Sequence, residues 1–171
     1  MGDEATDRAE RQREPLLRHW DAESATTLKV LRAFPPDQGD LRPHPRAKPA
    51  RELAWMFAAE MALATAALKN ELDLSGGLPP APATLGEVLA AFEASRLGFL
   101  DELRRASAER LDASVRFFTG PQQMGDVPMV DFLWFLLHDQ IHHRGQFSVY
   151  LRMSGGRVPS IYGPSADEPW S

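Results

Sequence analysis

The 171-residue chain carries a formal charge of −5, with 43% hydrophobic and 25% charged residues, the balance expected of one soluble globular domain. Net negative charge argues against a nucleic-acid binder that lives on phosphate contacts. The absence of cysteine excludes disulfides, thiolate metal sites and a cysteine nucleophile, so any metal must be held by nitrogen and oxygen.

Residues 1–13 are polar and lack the apolar segment of a signal peptide, and a flexible N-terminus is expected there. No apolar run approaches the ~20 residues needed to span a bilayer, so a cytoplasmic protein without a membrane partner is expected. Over residues 15–34, Leu16, Trp20, Thr27, Val30, Leu31 and Phe34 recur at helical spacing; Pro15 suits a first turn and Pro35-Pro36 a stop. Prolines 43, 45 and 49 make residues 37–49 a loop. A second helix is predicted over residues 49–72, with Leu53, Met56, Phe57, Glu60, Met61 and Leu68 on one stripe.

After a break at Gly76-Gly77 and Pro79-Pro80, Thr84-Leu85-Gly86-Glu87 reads as a capping box opening a third helix to about Ala106. Its buried face is predicted to include Val88, Leu89, Phe92, Leu97 (or Ser95), Phe99, Leu100 and Leu103. Val115-Arg116-Phe117-Phe118 suggests a short extended piece, and Asp126 a helix N-cap with Pro128 in the first turn. The fourth helix then runs to about Ser154, where Gly155-Gly156 stops it. The expected fold is all-α, a four-helix bundle in one domain over residues 14–156, with long loops after the first and third helices. A Pro-rich tail, residues 157–171, is expected to pack on the domain or on a partner.

The stretch His138-Asp139-Gln140-Ile141-His142-His143-Arg144-Gly145-Gln146 carries the most chemistry. His138 and His142 are four apart and stack on one helix face, which makes half of a divalent-metal site. Asp139, where the zincin motif has glutamate, has a shorter arm and speaks against that class. His143 projects about 100° from His142 and is expected to bond a neighbouring helix instead. Arg144 is expected to meet a third-helix acid or solvent, and Gln146 to lie near the His138–His142 stripe. His19 and His44 read as surface residues, while Trp55 and Trp134 read as core.

The string H-x-x-x-H-H-R-G-Q resembles the DinB/YfiT-like family of four-helix-bundle metalloenzymes. Arg42-Pro43-His44-Pro45-Arg46, Arg51-Glu52-Leu53-Ala54-Trp55 and Tyr150-Leu151-Arg152 with Gly155-Gly156 are similar to the same family. The resemblance implies a divalent ion (Zn, Ni, Fe or Mn) held by His138, His142 and a second-helix histidine. That third position reads Met56 here, a thioether and a poor ligand for these ions. Glu60, one turn on, is the replacement carboxylate; Glu52, one turn back, and His44 are the other candidates.

Two readings follow. One is a metal-dependent, S-transferase-like or hydrolase-like enzyme acting on a small-molecule substrate with a low-molecular-weight thiol, stress-related and homodimeric as the resemblance implies. The other is a metal-free, non-catalytic dimeric bundle that binds a small ligand in a pocket of Met56, Phe57 and Trp134.

Overall fold

The computed structural model describes residues 2–170, with side chains from residue 11 onward. Among these residues the order is α1 (Gly2–Arg32), α2 (Ala50–Leu68), α3 (Leu85–Arg105), a short α4 (Ala108–Asp112), β1 (Ser114–Gly120), β2 (Gln123–Pro128) and α5 (Met129–Met153). The chain is mostly helical. Helices α1 and α2 each pack against both α3 and α5, so the four long helices close a ring around one core.

Aromatic side chains tie the ring together. Trp20 of α1 meets Phe99 of α3 edge-on at 4.6 Å between ring centres, and Phe57 of α2 meets both Phe92 of α3 and Phe147 of α5. Each such ring is fully buried, contributing about 1.5–3 kcal/mol through apolar area removed from water. The apolar stripe predicted for α1 is buried throughout, from Leu16 to Phe34.

Local chemistry sets several helix ends. The Thr84 hydroxyl accepts from Glu87 N–H, and the Glu87 carboxylate accepts from Thr84 N–H, the predicted capping box. At the end of α5, Gly155 N–H bonds Arg152 O and Gly156 N–H bonds Leu151 O, with Gly155 at φ 77°. Helix α2 closes the same way four residues before the predicted end at residue 72. There Asn70 takes φ 62°, with Asn70 N–H on Ala67 O and Glu71 N–H on Ala66 O.

Four expectations are corrected. Helix α1 reaches back to Gly2, so Pro15 lies inside it and not in a first turn; the residues before it are strong helix formers, and His19 Nδ1 lies 2.7 Å from the proline carbonyl oxygen. The segment after α3 is more than an extended piece: β1 and β2 form an antiparallel hairpin pairing Val115 with Val127 and Phe117 with Gly125. Asp126 therefore sits in β2, 3.6 Å from Arg116, and Pro128, not Asp126, is the N-cap of α5. Leu97 is 64% exposed, out of phase with the buried Val88, Phe92, Phe99, Leu100 and Leu103.

Beyond α5 the chain lies along α1 and α5. Lys29 pairs with Glu168 at 2.7 Å, Arg152 with Asp167 at 2.7 Å, and Tyr162 donates to Glu23 at 2.7 Å. Among the described residues no helix is long and apolar enough to cross a membrane.

Candidate metal centre

Glu60 stands in the apolar run Phe57-Ala58-Ala59-Glu60-Met61 of α2 and is 2% exposed. A buried carboxylate must find partners or hold its proton. It faces Asp139 and His143, which are four apart on α5. His143 Nδ1 lies 3.3 Å from Glu60 Oε1 and 3.7 Å from Asp139 Oδ2. One ligand atom from each of the three residues lies within 4.8 Å of the others, a group able to hold a metal ion.

These atoms converge without satisfying one another. Both Glu60 oxygens and His143 Nδ1 are buried and lack an aligned hydrogen-bond partner among the described residues. The short Glu60–His143 distance is therefore an electrostatic contact more than a formed hydrogen bond. Burial pushes the Glu60 carboxyl up to about 7 against the opposing pull of His143, and the nearby Asp139 charge adds to the rise. The Glu60 carboxylate in turn raises the His143 imidazole, outweighing burial.

His138 and His142 are placed elsewhere. Both are exposed. His138 stacks on Trp134 at 6.0 Å between ring centres, and His142 Nε2 lies 2.8 Å from Gln146 Nε2. The reason is helix phase. At ~100° per residue, with buried Gln140 at the centre of the inward face, His143 falls ~60° and Asp139 ~100° away, toward α2. On the same count His138 and His142 fall ~160° away, on the far side. The structure thus brings Glu60 together with Asp139 and His143, and leaves His138 and His142 outside that group. The pair that faces Glu60 has the same spacing and starts one residue later, at Asp139.

The other named residues fall into place around this. His143 does meet a neighbouring helix, through Glu60. Met56 is half-buried one turn before Glu60 and lines a groove with Lys48, Glu52, Trp55 and the Leu78–Ala81 turn. His44 is exposed, its Nδ1 accepting from Arg46 N–H at 3.1 Å, and His19 is exposed beside Trp134. Trp55 and Trp134 are only partly buried and pack against the core from outside; Trp55 Nε1–H bonds Pro79 O. Arg144 faces neither solvent nor α3: it is 1% exposed and pairs with Glu23 of α1 at 2.5 Å. Gln140 donates to Phe57 O at 3.0 Å, tying α5 to α2 one turn from Glu60.

One imidazole nitrogen and two carboxylates suit a divalent ion of the Zn²⁺, Fe²⁺ or Mn²⁺ kind. The buried, unpartnered atoms fit such an ion, since its charge would compensate both carboxylates. A cleft of about 470 Å³ opens beside them, with His143 in its wall.

The family model described as DinB family matches residues 1–170. The uncharacterized protein YrdA of Bacillus subtilis (strain 168) is 26% identical over 156 residues, covering 89% of both chains. A DinB-like protein from Bacillus cereus ATCC 10987 superposes with a TM-score of 0.72 at 22% identity, over 87% of this chain and 97% of that one. The DinB-like protein YjoA from Bacillus subtilis gives 0.69 at 17% identity, over 86% and 97%.

Proposed function

The chain belongs to the DinB family, and from that premise we propose that it is a metal-dependent enzyme whose ion is held by Glu60, Asp139 and His143. The carrying observation is the convergence of the buried, unpartnered Glu60 oxygens and His143 Nδ1 with the half-buried Asp139 carboxylate, from two helices, beside an open cleft that His143 lines. The ring of long helices reads as the family's four-helix bundle, a fold that builds its sites from facing helices.

A divalent ion on these groups would supply an open position at which a water or a low-molecular-weight thiol loses a proton near neutral pH. The protein's own residues do the rest. Asp139 and His143, one helical turn apart, fix the spacing on α5, and Gln140 locks α5 against α2 so that Glu60 meets them. Without the ion Glu60 has a pKa near 7, so taking up the ion near neutral pH would release the proton it partly holds. The cleft admits a small molecule to the His143 side. Thiol-dependent group transfer, a homodimeric state, a stress-related role and a cytoplasmic location belong to the same reading and rest on the family resemblance.

A second reading keeps the ligand cleft and dispenses with the ion. It is favoured by the raised pKa of Glu60, which lets Glu60 and His143 keep a proton between them without an ion. Elemental mass spectrometry of untagged protein, with zinc titration of variants, decides between them. The enzyme reading expects about one ion per chain, lost in Glu60→Gln and His143→Ala and kept in His138→Ala and His142→Ala. Less than about a tenth of an equivalent, unchanged by excess zinc, overturns it.

A further inference from the structure

The 470 Å³ cleft beside His143 has an uneven lining. Leu53, Val149 and the Tyr150 ring give apolar wall, and its polar side chains are His143, Gln146 and Lys48. No carboxylate lines it, and its one full permanent charge is that of Lys48, which stands on the divide between this cleft and the groove of Arg51 and Glu52. Lys48 is exposed and makes no ion pair among the described residues.

Its backbone is firmly placed. The Tyr150 hydroxyl donates to Lys48 O at 2.9 Å, Pro49 fixes the next residue, and Ala50 N–H bonds Leu41 O. The lysine stem therefore starts from a fixed point on the rim opposite α5. An unpaired cation over an apolar wall matches a ligand with one anionic group and a short apolar body.

We propose that Lys48 is the specificity-determining residue of this cleft and that the ligand is a small, singly anionic molecule with an apolar body. Its anionic group would sit on the Lys48 ammonium, its body against Leu53, Val149 and Tyr150, and its other end toward His143. The placement of the reacting end rests on the metal-centre reading; the anion site does not.

The test uses the full chain and two probes, 4-phenylbutyrate and its neutral amide, titrated by NMR with and without zinc. The acid is expected to bind in both states. K48Q weakens it about tenfold or more, the size of one charge-assisted hydrogen bond, K48E weakens it further and K48R restores it. The amide is expected to bind wild type no better than the acid binds K48Q. Equal affinity of acid and amide, equal affinity of wild type and K48Q, or no binding of the acid at about 10 mM overturns the proposal. Zinc titration of the same samples separates the two readings. Lys48-dependent anion binding without zinc uptake sinks the metal centre alone, and zinc uptake without Lys48 dependence sinks this proposal alone.

Discussion

Glu60 is held between burial, which favours its proton, and His143, which favours its charge, and burial wins. In metal-free protein its folded pKa of about 7 lies above the ordinary 4.5, so the native state binds more protons than the unfolded chain between those values. Stability is then greatest below about pH 4.5 as far as Glu60 is concerned, and it declines by about 3 kcal/mol as pH rises to about 7. His143 shares in the same titration: the Glu60 carboxylate raises it only while ionised, so the two titrate as a pair, and the stability their shared proton supplies is lost as pH climbs through the folded values. Urea unfolding in EDTA should show this fall from pH 5 to 8 in wild type and a flatter profile in Glu60→Gln; stability rising with pH over that window would contradict it. Glu60 itself was legible in the sequence, as the one carboxylate inside an apolar stripe. Its partners were harder to read, because His138/His142 and Asp139/His143 share the same spacing. Spacing says only that two residues share a face; the phase of Phe132, Leu136, Gln140 and Phe147 says which face turns inward.

At the scale of elements, the capping box of α3 is exposed and self-contained, so its contribution should be separable from the core. Thr84→Ala is expected to cost about 1 kcal/mol in chemical denaturation, without any effect on zinc binding. Such ends are legible because their chemistry is local: Thr84 with Glu87, and Gly155 with Gly156, carry their instruction within four residues. The hairpin is not of that kind. Gln123–Pro128 holds a glycine and a proline and shows no apolar alternation, so nothing in it announces a strand. It becomes one because β1 offers a backbone to pair with. Gly125, which looks like a turn residue, is needed in the strand: a Cβ there would come 2.8 Å from Thr119 Cγ2.

For the whole molecule, Arg144 is the clasp. It is buried between α1 and the C-terminal tail, donating to Glu23 O and Oε2 and to the Tyr162 hydroxyl, with the Tyr162 ring 5.3 Å from its guanidinium carbon. Removing one member of a buried pair leaves the other charge uncompensated, so Arg144→Met is expected to lose about 3 kcal/mol or more in urea unfolding. Pairing it with Glu23→Leu should recover part of that loss; a neutral single variant would show that the clasp carries no stability.

The ring order of the helices reaches beyond the finished fold. Helices α1 and α2, neighbours in the chain, lie across the ring from each other, and both depend on α3 and α5. During synthesis, therefore, α1 leaves the ribosome with Leu16, Trp20 and Val30 uncovered, and the helices that cover them begin only at residues 85 and 129. The nascent chain must carry a long apolar stripe until its last helix is made, the condition in which chaperone capture competes with folding.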